Sequence, residues 1–251
     1  MEANKIIITG AATRMGAAIA KKLSGPGVEI VIHYNSSKSN AERLKKELNR
    51  NNTNVYLVKG DLSKEDDLKK ITKFAKSKLK YFDCLINNAS LFENDNLKNF
   101  TSKSWNDHLN VNLKAPAYLT KEFAKNVRGK NNNIINIIDQ RVFKLTPFFF
   151  SYTLSKTGLY TLTKTSAMSL APNIRVNGIA PGPTIKNKRQ TDKHFKKQYL
   201  ATPLRHQVNV KEICNAVDFF IKNSSITGQV IAIDSGQSLN WQTPDIMNGK
   251  E

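Results

Sequence analysis

Acidic residues, cysteines and long apolar runs are all scarce in this sequence. Its 251 residues hold 20 Asp and Glu against 39 Lys and Arg, and the formal net charge is +19 at pH 7. The two cysteines, Cys84 and Cys214, stand in apolar runs without metal-ligand spacing, so we expect buried, inert thiols and no metal site. The first apolar run, residues 6–8, is too short for a signal peptide, and no run approaches the length of a membrane span. These shortages predict a cytoplasmic protein without membrane contact.

The excess of positive charge raises the question of nucleic acid, because clustered Lys and Arg neutralise phosphates. Here the basic residues are scattered along predicted helix faces, such as 43–50, 69–80 and 121–130. This distribution favours a solvated surface over a nucleic-acid site. We therefore expect no nucleic-acid partner.

Short β-branched runs alternate with longer amphipathic stretches along the chain. The predicted strands are 5–9, 28–33, 54–59, 82–87, 133–138, 173–179 and 229–233. The predicted helices are 14–24, 38–50, 64–79, 103–127, 151–170 and 210–222. Runs such as 134–138 are apolar almost throughout, which is typical of parallel strands covered by helices on both faces. The pattern predicts one α/β domain over 1–251, a Rossmann-type doubly wound parallel sheet of about seven strands.

A long segment from 180 to about 208 has no clear helix or strand pattern. Loops of that length usually serve as lids or binding loops. We interpret residues 183–208 as a substrate lid. Within it, the basic segment 186–197 could attract an anionic substrate tail or could simply form a solvated face.

A pair of glycines follows the first predicted strand. Gly10 permits a tight turn after Thr9, and Gly16 lets the next helix pack close to the sheet. A helix that starts near Thr13 presents free N–H groups and a positive end, so the turn can receive a pyrophosphate. An ordinary strand–helix turn is the alternative, which the position at the first βα junction disfavours.

The end of the second strand bears on which dinucleotide binds. A carboxylate there would accept the ribose hydroxyls of NAD and repel a 2′-phosphate. Residues 33–38 read His-Tyr-Asn-Ser-Ser-Lys, and no carboxylate appears before Glu42. We therefore predict NADPH, with Arg14 and Ser37 as phosphate-side contacts. Lys38 is a weaker candidate, because a solvated residue at the start of a helix is the alternative.

Tyr152 and Lys156 are four positions apart in a predicted helix, so their side chains share one face. A nearby ammonium favours phenolate, and we expect it to lower the Tyr152 pKa from its usual value of about 10. Tyr152 is thus a candidate proton donor. Asp139 follows the fifth strand, thirteen positions upstream of Tyr152. It could join the pair or merely cap its loop.

Motifs along the whole chain resemble those of the short-chain dehydrogenase/reductases. They occur in the family's order across about 230 residues: Thr9-Gly10 with Gly16, Asp61-Leu62, Asn87-Asn88-Ala89, Asn112 within 110–116, Tyr152 with Lys156, and residues 175–182. The resemblance implies that Lys156 holds the nicotinamide ribose. It also implies that Asn112 shapes a water-linked proton path.

Two departures from the general pattern indicate a branch of that family. The glycine usual at one position of the turn is Arg14, and the serine usual thirteen residues before the catalytic Tyr is Asp139. Both changes, together with residues 88–92, resemble the pteridine reductases and the related bacterial dihydromonapterin reductases. An Arg that some pteridine reductases carry at the 2′-phosphate site is Ser36 here, which bears on the strength of the NADPH preference.

The resemblance and the motifs together define an expected site. The expected catalytic residues are Asp139, Tyr152, Lys156 and Asn112. The expected cofactor-binding residues are Gly10, Arg14, Met15, Gly16, Tyr34, Asn35, Ser36, Ser37, Asp61, Leu62, Asn88, Ala89, Ser90, Tyr152, Lys156, Pro181 and Gly182. The expected substrate-binding residues are Arg14, Ser90, Phe92, Asp139 and Tyr152.

The implied reaction is NADPH-dependent reduction of a 7,8-dihydropterin, of the dihydromonapterin or dihydrobiopterin type, or of dihydrofolate. Hydride reaches C6 while N5 takes a proton, and an ionised Asp139 suits this chemistry better than carbonyl reduction, whose developing oxyanion it would repel. Phe92 is expected to stack on the pterin, with a core-capping role as the alternative. Two other functions stay open: reduction of a 3-oxoacyl thioester, and non-catalytic dinucleotide binding.

Assembly is indicated by apolar residues on helices 103–127 and 151–170 beyond those that one sheet face needs. They are Leu109, Leu113, Leu119, Phe123, Leu154, Leu159 and Leu162. The equivalent helices form a subunit interface in the resembling family, which implies a homotetramer. The Phe run at 148–150 is interpreted as packing, and the tail 238–251, with Trp241 and Pro244, as reaching a neighbouring subunit.

Overall fold

The computed structural model describes residues 4–187 and 189–240. Within those ranges, seven parallel strands form one sheet in the order β3-β2-β1-β4-β5-β6-β7. The strands are β1 Lys5–Ile8, β2 Glu29–Tyr34, β3 Asn54–Lys59, β4 Cys84–Asn87, β5 Asn132–Ile137, β6 Ile174–Pro181 and β7 Val230–Ile233. The predicted Rossmann-type doubly wound sheet is confirmed.

Helices cover both faces of this sheet. They are α1 Arg14–Lys22, α2 Lys38–Asn49, α3 Glu65–Leu79, α4 Ser102–Leu109, α5 Ala115–Ala124, α6 Phe150–Leu170, α7 Asp192–Leu200 and α8 Val210–Lys222. Successive residues of β1 point to opposite faces: Ile6 and Ile8 enter a core with α1, α2 and α8, and Ile7 enters a core with α3, α5 and α6. This two-sided burial explains why the central strands are apolar without alternation.

Two predicted elements differ from the structure. The helix predicted over 103–127 is divided into α4 and α5 by one π-helical turn, Asn110–Lys114, which turns Asn112 inward. The segment predicted as irregular over 180–208 contains α7, whose first turn is capped by Thr191, because its hydroxyl accepts a hydrogen bond from the His194 N–H at 3.1 Å. Local side-chain capping thus orders the middle of the expected lid.

The residues proposed for a subunit interface fall into two groups. Leu119, Phe123 and Leu159 are buried in the chain's own cores, so their assignment to an interface is wrong. Leu154 is 41% exposed, and Leu109, Leu113 and Leu162 are partly exposed. The expected contact of the tail with a neighbouring subunit, including Trp241 and Pro244, concerns residues 241–251, outside the described ranges.

Both cysteines are buried, as predicted, and burial raises the pKa of each thiol. Among the residues that the structure describes, no helix has the length and apolarity needed to cross a bilayer.

The strand order reverses at β1, which pairs with β2 on one side and β4 on the other. Connections from the carboxyl ends of these strands diverge there, and ligands of open α/β sheets bind in the resulting crevice. A cavity of about 1040 Å³ lies at this edge. The fold therefore places the candidate site where the β1, β4 and β5 strands end.

Candidate active site

The glycine-rich turn after β1 is tightly enclosed. Gly10 has a φ of +61°, and a Cβ there would stand 2.9 Å from the Ala89 Cα. A Cβ on Gly16 would stand 2.5 Å from the Asn88 Nδ2 and 2.7 Å from the Gly10 carbonyl oxygen. Both positions therefore require glycine, the first for conformation and the second for space.

Asn88, at the end of β4, braces the same turn. Its Nδ2 donates to the carbonyl oxygens of Thr9 at 2.8 Å and Gly10 at 3.1 Å. In return, the Thr9 hydroxyl accepts from the backbone N–H groups of Asn88 and Ala89, each at 3.0 Å. Asn88 lines the cavity as predicted, and it also fixes the backbone beneath it.

His33 was not assigned to the site from the sequence, yet it supports the turn directly. Its Nδ1 accepts from the Gly10 N–H at 3.1 Å, and its Nε2 lies 3.0 Å from the Gly60 carbonyl oxygen. Because Nδ1 accepts, Nε2 carries the proton that reaches Gly60. Burial lowers the pKa of His33, which favours this neutral form. A lone histidine at a strand end carries no sequence signal for this contact.

The residues expected near the 2′-phosphate do not all line the cavity. Asn35 lines the cavity, but the Tyr34 side chain is buried between Ala12 and Ala41. Ser36 is exposed, and both it and Ser37 lie outside the cavity lining.

Asp61 and Leu62, after β3, line the cavity, and their contact with a cofactor stays a prediction. The Asp61 carboxylate accepts from the N–H and hydroxyl of Ser63 at 3.0 and 2.8 Å. Burial alone would raise the pKa of Asp61, but these bonds outweigh it, and the pKa lies below its usual value.

Asp139 and Tyr152 meet at the centre of the cavity. The Tyr152 hydroxyl donates to the Asp139 Oδ2 at 2.7 Å, and the Asp139 Oδ1 accepts from the Arg141 N–H at 2.9 Å. Asp139 therefore caps the short 3₁₀ turn Gln140–Val142 and pairs with Tyr152, so the two interpretations raised by the sequence both hold. The predicted pairing of carboxylate and phenol is present.

Lys156 lies on the same face of α6 as Tyr152, one turn further on. Its Nζ donates to the Ile137 carbonyl oxygen at 2.9 Å and lies 5.8 Å from the centre of the Tyr152 ring. Burial lowers the pKa of Lys156 to about 8. The ammonium and the phenol share the cavity without a direct hydrogen bond between them in the described contacts.

The expected lowering of the Tyr152 pKa is wrong for this structure. Burial, and after it the charge and hydrogen bond of Asp139, raise the pKa of Tyr152 well above its usual value. The carboxylate is in contact with the phenol and opposes phenolate, whereas the ammonium is farther away. Tyr152 is consequently held in the protonated form.

Asn112 is fully buried in the π-helical turn. Its Oδ1 accepts from the Leu91 N–H at 2.8 Å and the Ser90 hydroxyl at 3.2 Å, and its Nδ2 donates to the Leu91 carbonyl and the Ser155 hydroxyl. Asn112 lies behind the cavity wall and not among its lining residues. It ties the Ser90 segment to α6, the helix that carries Tyr152.

Arg14 has a φ of +54°, a conformation that favours glycine. Its guanidinium donates to the carbonyl oxygens of Ile185 and Lys186 at 3.0 and 2.9 Å. Arg14 lines the cavity and links the cofactor turn to the beginning of the expected lid.

Phe92 is stacked on Phe149, with ring centres 4.5 Å apart and planes inclined by 9°. It also meets Tyr152 edge-on, with ring centres 4.7 Å apart. Phe148 and Phe149 line the cavity, and Phe149 also packs on Phe92, so the interpretation of the 148–150 run as packing stays a prediction for Phe148. Phe150 does pack, against Phe100 and Trp105.

The segment expected to be a lid contributes amides, an imidazole and a guanidinium to the cavity lining. Asn187, Gln190 and His194 contribute to the lining, as does Arg189. Arg189 forms an ion pair with Glu93 and donates to the Phe92 carbonyl oxygen at 2.6 Å. Part of the basic segment 186–197 therefore lines the cavity, and Arg189 within it binds the loop that carries Phe92 and Glu93.

Asp95, Ser151 and His108 form a buried network beneath Tyr152. The Asp95 carboxylate accepts from the Ser151 N–H at 3.0 Å and from the Ser151 hydroxyl. His108 Nδ1 lies 2.7 Å from that hydroxyl, and His108 Nε2 accepts from the Glu93 N–H at 3.1 Å. A carboxylate at the start of α6 satisfies free N–H groups and complements the helix dipole.

Comparison with known proteins gives the class first. The chain matches the family described as short chain dehydrogenase over residues 4–197. The chain belongs to this family, and it is an oxidoreductase.

FolM and FabG reductases are among the proteins that this chain resembles. The structure of FolM alternative dihydrofolate reductase 1 from Brucella canis, complexed with NADP, is similar with a TM-score of 0.93 and 42% identity, covering 98% of each chain. Its counterpart from Brucella suis has a TM-score of 0.92 and 41% identity, covering 96% of this chain and 98% of the other. The 3-oxoacyl-[acyl-carrier-protein] reductase FabG of Buchnera aphidicola is 31% identical, covering 92% of this chain and 95% of its own length.

Proposed function

We propose that the protein reduces the C=N bond of a 7,8-dihydropterin to the tetrahydro form, with NADPH as the hydride donor. The observation that carries this proposal is the 2.7 Å hydrogen bond from the Tyr152 hydroxyl to the Asp139 carboxylate inside the cavity. A short-chain reductase for carbonyl groups needs a hydrogen-bond donor where this chain has an acceptor.

The charge of Asp139 suits one reaction better than the other. Carbonyl reduction develops negative charge on oxygen, which donors stabilise and a carboxylate opposes. Reduction of a C=N bond instead requires that nitrogen receive a proton as carbon receives hydride. Asp139 orients the Tyr152 hydroxyl through its Oδ2, and Tyr152 stays protonated because burial and Asp139 raise its pKa. Tyr152 thus carries the proton that it would donate, and Asp139 orients it.

The residues of the first βα turn fit a dinucleotide. A side chain on Gly10 would collide with Ala89 and one on Gly16 with Asn88, so glycine keeps the turn narrow. The first N–H groups of α1 have no side-chain cap from Thr13 and are available to a pyrophosphate. Asn35 stands at the end of β2 without a carboxylate beside it, which favours NADPH over NADH. The expected contacts of Ser36 and Ser37 with a 2′-phosphate belong to this proposal.

Substrate recognition is assigned to Phe92, Ser90 and Arg14, all of which line the cavity. Phe92 offers a flat aromatic surface next to Tyr152, where an aromatic ring gains about 0.5–1.5 kcal/mol from stacking. The resemblance to the NADP complex of a FolM reductase at 42% identity supports a pterin or folate substrate. Residues 183–208 act as the lid over it.

A second candidate is the reduction of 3-oxoacyl thioesters. The 31% identity with a FabG reductase favours it. Asp139 and Arg14 argue against it, because the general family pattern has a hydroxyl donor at the position of Asp139 and a glycine at the position of Arg14.

The test is NADPH oxidation followed at 340 nm with dihydromonapterin, dihydrobiopterin, dihydrofolate and a 3-oxoacyl thioester as separate substrates. We expect turnover with at least one dihydropterin or dihydrofolate and a higher kcat/KM with NADPH than with NADH. Turnover with the thioester alone would establish the second candidate. Activity with none of the four, in protein that binds NADPH, would refute both.

A further inference from the structure

Arg141 has no role in the function proposed above, yet it contacts both Asp139 and the aromatic pair Phe92 and Phe149. Its backbone N–H donates to the Asp139 Oδ1 at 2.9 Å. Its guanidinium lies 3.6 Å from the same oxygen, and both side chains are 17% exposed. At that burial, an ion pair is less screened by solvent than a pair on the surface.

Two aromatic rings fix the other side of the guanidinium. The Arg141 guanidinium carbon lies 4.7 Å from the Phe149 ring centre and 5.3 Å from that of Phe92. Cation–π contacts at this range are worth about 0.5–2 kcal/mol. Its Nε is buried and, among the described residues, has no hydrogen-bond partner. The rings and the carboxylate therefore determine where the guanidinium lies.

We propose that Arg141 is a positioning residue that holds the Asp139 carboxylate by its Oδ1 and so directs Oδ2 at the Tyr152 hydroxyl. This inference deepens the proposed function and rests on it for its kinetic consequences. A carboxylate rotates about its Cβ–Cγ bond unless both oxygens are held. With Oδ1 anchored by Arg141, Oδ2 keeps the phenol in one orientation.

The anchor also connects the proton donor with the expected substrate-binding ring. Movement of Phe92 or Phe149 displaces the guanidinium that stacks on them, and the guanidinium contacts Asp139. The aromatic pair and the carboxylate–phenol pair are thus linked through one side chain. Arg141 acts through Asp139 and is not itself placed at the reacting atoms.

The chain provides a matched control in Arg189. Its guanidinium carbon lies over the same rings, 5.3 Å from the centre of Phe92 and 5.9 Å from that of Phe149. Its carboxylate partner, however, is Glu93. The same substitution at 141 and 189 therefore removes similar ring contacts and different ion pairs.

The experiment compares Arg141→Met, Arg141→Lys and Arg189→Met with the wild type. The first readout is the Tyr152 hydroxyl proton by NMR, identified by its loss in Tyr152→Phe, and it needs no substrate. We expect this proton to exchange with water at least about tenfold faster in Arg141→Met, because Asp139 Oδ1 loses the guanidinium and is then held only by the backbone N–H of residue 141; a tenfold change corresponds to about 1.4 kcal/mol. Arg141→Lys should restore slow exchange, and Arg189→Met should leave it unchanged.

The second readout is kinetic. We expect Arg141→Met to lower kcat about tenfold with the KM for NADPH unchanged, and Arg141→Lys to recover most of the loss. Unaltered hydroxyl exchange in folded Arg141→Met, or equal acceleration in Arg189→Met, would overturn the proposal. Should the wild type reduce no pterin, the proposed function fails, while the exchange measurement still decides the role of Arg141.

Discussion

The Asp139–Tyr152 pair is the point at which the chemistry of this chain departs from that of a general carbonyl reductase. Its hydrogen bond of 2.7 Å joins a carboxylate to a phenol whose pKa burial and the carboxylate raise. The proton is therefore retained on the phenol until a stronger acceptor arrives. In the proposed reaction, a substrate nitrogen that becomes basic as hydride is added is such an acceptor.

Tyr152→Phe removes this proton with little change in shape. We expect kcat to fall about 10²–10⁴-fold, the range for loss of a general acid, with the dissociation constant for NADPH nearly unchanged. The measurement pairs steady-state turnover with NADPH fluorescence titration. Tyr160→Phe, on the same helix but packed against Phe143, is the control and should retain turnover. Normal turnover of Tyr152→Phe would contradict the assignment.

Asp139→Ser restores a hydroxyl donor where the general family pattern has one. We expect pterin reduction to fall and any weak carbonyl reduction to rise, because an oxyanion then meets a donor in place of a negative charge. The ratio of the two kcat/KM values measures this change. If both activities fell in parallel, Asp139 would be a structural cap without influence on substrate choice.

At this scale the sequence predicted the residues whose chemistry follows from spacing. Tyr152 and Lys156 are one helical turn apart, and Asp139 comes at a fixed distance before them. His33, Arg141 and Phe149 were not predicted as site residues. Their contacts join segments distant in sequence, or depend on a left-handed backbone such as that of Phe149, with a φ of +58°.

Helix α6 carries the phenol, and its start is held by a buried carboxylate. Burial alone would raise the pKa of Asp95, but hydrogen bonds from Ser151 and Ser104 outweigh it, and the net pKa lies below the usual value. A carboxyl group with a depressed pKa stabilises the fold above its unfolded pKa, and this contribution is lost as pH falls through the folded value.

Asp95→Asn should therefore destabilise the protein in a pH-dependent way. We expect a loss of about 1.5–3 kcal/mol at pH 7, as for hydrogen bonds to a charged group. The difference from the wild type should shrink as the pH falls below about 4, near the unfolded pKa of Asp. Urea unfolding across this range provides the measurement.

The matched control is Asp107→Asn. Asp107 lies on α4 and pairs with Lys103, which is exposed, so its removal should cost about 0.5 kcal/mol or less. A penalty for Asp95→Asn that stays the same from pH 7 to well below pH 4 would show that shape, and not charge, matters at this position.

The elements themselves followed from hydrophobic patterning, since β3 and α8 begin and end where predicted. Two features did not. The π-helical turn around Asn112 results from four hydrogen bonds that pull its amide inward, and periodicity cannot reveal them. Helix α7 consists mostly of polar residues, including Lys, Gln and His, and has no continuous apolar stripe. Phe195, which is 8% exposed, is the residue that it buries.

At the scale of the whole molecule, the fold was predictable because alternating strands and helices admit few arrangements. Assembly was predicted less well. Three of the seven residues predicted at a subunit interface, Leu119, Phe123 and Leu159, are buried in the chain's own cores. A count of apolar residues cannot separate those that cover a sheet from those that cover a partner.

We propose that the protein is a homotetramer, associating through the exposed side of α6. Leu154, 41% exposed on that helix, provides the test. We expect light scattering after size exclusion to give about four times 28.2 kDa, and Leu154→Arg to lower that mass, because a charge would be buried at the contact. Leu204→Arg, at a residue that is 64% exposed in the segment proposed as a lid, is the control. A wild-type mass of 28.2 kDa would refute the proposal.

Tyr152 and Lys156 occupy the first two turns of a helix whose later residues, Leu159, Thr163 and Ala167, are buried against the sheet. The spacing between the phenol and the ammonium is thus set by a helix that is buried against the sheet along its length. The two groups lose their relative freedom once, when the chain folds, so this entropy cost does not recur in each catalytic cycle.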